Sequence, residues 1–194
     1  MFIVVERGLL EEVWDRERLK QRLQSLSPMH RIAFAAACAE RTLWRYLTWA
    51  KQEGKPFGQE MHAIMHDVWA EIDQGSLNIK KLKKAAARCE ELVPDPEEET
   101  VTHSADNAAL AVLYALQCAI SGGQVTDALD AAEKSYRSWW NTETLQDDEV
   151  IDDRELLQRE WNSPQLKKEV DFQVAVLKRL ETVDKPRHDL LSGL

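Results

Sequence analysis

Between Ser27 and Gly54 the sequence reads SPMHRIAFAAACAERTLWRYLTWAKQEG, and this run restricts the fold more than any other. Ser27 offers a hydroxyl to the free amides of a helix start, and Pro28 takes the first helical position, where its missing N–H costs nothing. Gly54 stands just past the far end, with Pro56 soon after. Ile32, Ala36, Ala39, Leu43, Leu47 and Ala50 recur every three or four residues and share one face. Ile32 to Ala39 is apolar all the way round, so this half is expected to be buried on every side, with small alanines admitting neighbours closely. At 1.5 Å per residue the helix spans roughly 40 Å, the width of a small domain. Such a helix is a packing axis and carries no chemistry of its own.

The remaining chain supplies elements that pack around it. Glycine (7) and proline (6) are scarce, which favours helix over sheet. A first helix is predicted from Leu9 to Leu26, with Leu10, Val13, Trp14, Leu19, Leu23 and Leu26 as its apolar positions. A third runs from about Gly58 to Gln74 with Met61, Ile64, Met65, Val68, Trp69 and Ile72 inward, and Gly75 stops it. After Ser76 a fourth reaches about Leu92, burying Ile79, Leu82, Ala86 and Cys89. Two prolines and three glutamates in Val93–His103 break the chain. Ser104, Asp106 or Asn107 then caps a fifth helix containing AALAVLYALQCAI, which Ser121-Gly122-Gly123 ends. A sixth is expected from Thr126 to about Asn141, burying Ala128, Leu129, Ala132, Tyr136 and one of Trp139 and Trp140, with the other exposed. Glu143–Glu155 is acidic, and a weak helix is expected through Trp161. Ser163-Pro164 repeats the start signal of the central helix, and Leu166, Val170, Val174, Leu177 and Leu180 form the last apolar face. The fold class is therefore all-α: a single-domain helical bundle of about seven helices over residues 1–185, with 186–194 a frayed tail.

Function is less constrained. Cys38, Cys89 and Cys118 are irregularly spaced, which suits reduced thiols on helix faces rather than a disulfide framework. MFIVVE at the start is too short for a signal peptide and no apolar run reaches a membrane span, so a cytoplasmic protein with no membrane partner is expected. The net charge of −9 divides into +2 for residues 1–93 and −11 for residues 94–194. An acidic second half repels phosphates and disfavours nucleic acid, while it suits a basic protein partner. The densest charge, Asp147, Asp148, Glu149, Asp152, Asp153 and Glu155, is the candidate protein-binding segment; the plainer reading is a solvated linker. Oligomeric state is not assigned.

Catalytic and metal sites are hard to assemble. His62 and His66, four apart on the third helix, place two rings on one face for a metal, with Asp67 adjacent, but no third ligand is evident. An exposed histidine pair is the simpler account. Lys80, Lys81, Lys83, Lys84 and Arg88 make a basic island without interleaved aromatics, read as a solvated helix face. Glu40-Arg41, ending the buried half of the central helix, requires partners, because an unpaired buried ion is costly. No Cys/His or Ser/His pair is legible, and no glycine-rich phosphate loop occurs, so neither catalytic residues nor cofactors are assigned.

A resemblance runs through these residues. AFAAACAERTLWRY, Ala33 to Tyr46, resembles the signature of the YjaG-like bacterial family, a domain of unknown function: an alanine-rich turn, a Glu-Arg pair (Glu40-Arg41) and an aromatic a few residues on. Val68-Trp69, Pro94-Asp95, Asp106 leading Ala108–Leu116, and Ser135 are similar in order and spacing. The resemblance covers roughly residues 20–140. The chain departs from it in lacking a proline after the Glu-Arg segment, and its acidic region and last helix lie beyond it. The resemblance implies an all-helical bacterial domain without established catalytic residues, associated by genome neighbourhood with histidine kinases. Three functions are thus open: a non-catalytic binding protein, immunity- or antitoxin-like, that masks a basic partner; a signalling-associated adaptor; and a metal-dependent enzyme using His62 and His66.

Overall fold

A computed structural model describes residues 14–95, 101–143, 153–191 and 194. Among them lie nine helices and no strand: α1 (Arg16–Ser25), α2 (Pro28–Gln52), α3 (Gly58–Gln74), α4 (Ile79–Leu92), α5 (His103–Ile120), α6 (Val125–Glu143), α7 (Asp153–Asn162), α8 (Pro164–Leu180) and α9 (His188–Leu191). The helices form one domain around α2, which lies against α3, α5, α6 and α8. Ser27 caps α2 by accepting from the His30 amide, and Pro28 sits in the first turn as its covalent geometry favours. Ile32 to Ala39 are all buried, each at most 3% exposed.

Alanine sets the spacing of this core. Ala33, Ala36 and Ala39 of α2, Ala108, Ala111 and Ala115 of α5, and Ala128, Ala131 and Ala132 of α6 are all fully buried. Short side chains bring backbones close, so dispersion contacts form between main chains as well as side chains. The α5–α6 turn shows how close. Gly123 has φ of +81°, and a Cβ there would lie 2.4 Å from Pro28 O at the start of α2. Arg31 clamps the junction, donating from Nε to Gly123 O and from a terminal nitrogen to Leu26 O.

Several elements differ from the sequence-based expectation. α1 begins at Arg16, where the Asp15 carboxylate caps it by accepting from Arg18 N, and residues 9–13 of the helix expected from Leu9 to Leu26 lie outside the described residues. Ile79 is exposed at 37%, since it opens α4 beside its cap Asn78, beyond the packed edge. Thr102, not Ser104, Asp106 or Asn107, caps α5 through an acceptor contact with Ala105 N. Trp139 and Trp140 are both half-buried, and the exposed tryptophan is Trp44. In the stretch 186–194, expected to fray, α9 packs instead on α3 and α8: Leu191 is buried, the His188 ring lies 4.8 Å from that of Trp69, and Asp73 accepts from His188 N.

Candidate functional site

The last long helix contains the most unusual chemistry in the bundle. Leu166, Glu169, Gln173, Val176 and Leu180 follow a 3-4-3-4 spacing, so Glu169 and Gln173 occupy core positions of α8. Both are at most 2% exposed. The Ser135 hydroxyl of α6 donates to Glu169 Oε1 at 2.7 Å, and Gln173 Nε2 donates to the same oxygen at 2.9 Å. Gln173 spends its second amide hydrogen on Ala132 O and accepts from Trp14 Nε1 at 3.0 Å. A continuous polar chain therefore runs from the half-buried Trp14 through Gln173 to the fully buried Glu169 and Ser135.

The second carboxylate oxygen is less well served. Among the described residues Glu169 Oε2 accepts no hydrogen bond, and Arg41 Nε of α2 stands 3.7 Å away. Burial raises the carboxyl above its ordinary value of 4.5, opposed in turn by Gln173, Ser135, Arg41 and Trp139. Glu169 also pushes up the buried Cys38 thiol, although burial is the larger cause. A hydroxyl donating to a carboxylate has the sense required for base-assisted nucleophilic attack. Here both members are enclosed, Ser135 at 0% and Glu169 at 1% exposed, so no substrate atom reaches them. The arrangement is a polar tie between α6 and α8.

Where α2 meets α6 and α8, its arginines stack on aromatic rings. The Arg45 guanidinium lies 4.0 Å from the Trp139 ring centroid and 4.8 Å from that of Trp44, while Arg41 sits 4.9 Å from the Phe172 centroid. Trp44 meets Trp139 edge-on at 6.0 Å and remains 50% exposed. α6 ends at Glu143, about one turn beyond Trp139, where the acidic run begins.

The residues singled out in the sequence are dispersed. Asp147, Asp148, Glu149 and Asp152 lie outside the described residues; Asp153 opens α7, and Glu155 is exposed and ion-paired with Arg159 at 2.8 Å. His62 and His66 are exposed on α3, and among the described residues no group of three His, Cys, Asp or Glu is placed to hold a metal. Lys81 of the basic island pairs with Asp67 at 3.1 Å, and Arg88 with Glu60 at 2.6 Å. Glu40 and Arg41 turn to different partners: Glu40 bonds His188 and Trp69, Arg41 approaches Glu169. Ser135 is marked in the sequence only by the family resemblance, and Glu169 and Gln173 are not marked at all, because their polarity masks the core spacing they occupy.

Residues 18–194 match the model of a protein family described as protein of unknown function (DUF416), and the chain belongs to that family. The fold is similar to the crystal structure of a DUF416 family protein from Shewanella baltica OS155, with a TM-score of 0.73 and 22% identity over 90% of this chain and 89% of that one. No curated protein matches. Among the described residues no helix is long and apolar enough to cross a membrane.

Proposed function

We propose that this is a non-catalytic binding protein that masks a basic partner, in the manner of an immunity or antitoxin protein. The observation that carries the reading is Trp44. It is 50% exposed on the central helix, edge-on to Trp139 and stacked against the Arg45 guanidinium. Rigid aromatic anchors beside arginine dominate binding energy at protein interfaces. The acidic run starts one turn past Trp139, so an apolar anchor and a strong negative field adjoin along the chain. The narrower YjaG-like resemblance and the adaptor role associated with it also require a protein partner, and the partner's identity separates the two. The metal-dependent enzyme has two exposed histidines in its favour and nothing further.

The test begins with identification of the partner by pull-down from the native host. Neutralising Asp148, Asp152 and Asp153 to asparagine is expected to slow association several-fold at low salt, with the effect shrinking once the Debye length falls below about 10 Å. Trp44→Ala is expected to speed dissociation by tenfold or more while leaving thermal stability nearly unchanged. Unaltered kinetics in both variants would remove this surface from the interface.

A further inference from the structure

A groove of about 540 Å³ runs between α1 and α8, within the range of small-molecule sites. Leu19 from one wall and Val174 and Leu177 from the other give it an apolar lining, and Trp14 closes one end. That end is fixed in advance, because the Trp14 indole is hydrogen-bonded to the buried Gln173 carboxamide at 3.0 Å. The rim is basic. Arg18 and Arg22 stand on α1 and Lys178 on α8. Arg22 is tied to Glu181 at 2.8 Å, whereas Arg18 and Lys178 form no ion pair among the described residues. The carboxylate of Asp15, also in the lining, is committed to capping α1. A chain of net charge −9 thus gathers cations around an apolar trough, the reverse of its overall balance.

We propose that this groove binds a single-chain amphiphilic anion, an aliphatic carboxylate whose tail lies along Leu19, Val174 and Leu177 and whose head is held by Arg18 and Lys178. The two features select together. Apolar walls alone would accept an alcohol of the same length equally well, and cations alone would accept a short acid such as acetate. Each fully buried methylene is worth about a fourfold gain in affinity, so binding should strengthen with chain length until the groove is filled. This ligand is independent of the protein partner proposed above and does not require it.

Isothermal titration of the full-length protein below the micellar range tests the assignment, with decanoate, octanoate, acetate and decanol as probes. Decanoate is expected to bind one site saturably with a sub-millimolar Kd, about sixteenfold tighter than octanoate, which is two methylenes shorter, and at least tenfold tighter than decanol, with acetate silent. The double variant Arg18→Ser, Lys178→Ser should weaken decanoate at least tenfold and leave decanol unchanged. Val174→Glu, which sets a carboxylate in the wall, should abolish decanoate binding, with far-ultraviolet circular dichroism confirming that both variants fold. Absence of saturable decanoate binding, equal affinity for decanol, or an unchanged Kd in the double variant would each overturn the proposal. So would displacement of decanoate by an acidic amphipathic peptide at lower concentration, which would assign the groove to a protein segment.

Discussion

Replacing Glu169 with glutamine should make the protein less sensitive to pH and no less stable at neutrality. Two forces compete at this carboxyl. Burial of the side chain penalises the charged form, while Arg41 at 3.7 Å and the donors Gln173 and Ser135 favour it. The outcome is a carboxyl raised above its ordinary 4.5. Above that value and below the raised one, the unfolded chain is ionised and the folded chain holds a proton. The folded state then binds more protons than the unfolded state, so stability falls as pH rises, by about 1.4 kcal/mol per unit at full effect. The contribution is present below 4.5 and is lost as pH climbs through the folded value. Glutamine retains an acceptor for Ser135 and Gln173, removes the titration, and leaves Arg41, whose side chain is 36% exposed, free to hydrate. Urea denaturation of both proteins at half-unit intervals from pH 4.5 to 8 gives the difference directly. Wild-type stability is expected to decline relative to Glu169→Gln as pH rises. A wild-type advantage that grows with pH would mean that Arg41 wins, and that Glu169 is a depressed, ion-paired carboxylate.

Three further outcomes follow from the core. Gly123→Ala places a Cβ 2.4 Å from Pro28 O at φ of +81°, while Gly122→Ala at +73° meets open space; chemical denaturation should show a loss of about 1 kcal/mol for Gly122→Ala and clearly more for Gly123→Ala. Ala36 is 0% exposed, so Ala36→Phe should cost about 1–3 kcal/mol or more in the same assay, and no loss would place it on an open face. All three thiols are buried, with Cys89 and Cys118 pushed up to about 12 by burial, so Ellman's reagent at pH 8 should find no reactive thiol in the native protein and three in denaturant.

The ease of reading this chain depended on which chemistry marked each position. Ile32–Ala39 was legible because every residue agreed on burial, and Met61 to Ile72 because apolar side chains repeat at helical spacing. The caps were legible where serine and proline adjoin, as at Ser27-Pro28 and Ser163-Pro164, and not where Thr102 competed with three plausible neighbours. On α8, Leu166, Leu177 and Leu180 are buried as their spacing predicts, while Val170 and Val174 are only half-buried. Val170 and Val174 claimed its inward face by hydrophobicity, whereas Glu169 and Gln173 hold it through partners on other helices. Such partners are separated by tens of residues, so a buried polar side chain gives no local sign that it is satisfied. The 3-4 spacing from Leu166 to Leu180 was the available clue.

The contact between Trp69 and His188 gives the carboxyl-terminal helix an optical signature. Imidazole quenches indole emission at ring contact, and these two rings stand 4.8 Å apart with Glu40 hydrogen-bonded to both. Whenever α9 lifts from α3, Trp69 should brighten while the bundle beneath it stays folded. A chain in which Trp69 was the sole remaining indole would report that opening in real time, without a label and separately from global unfolding.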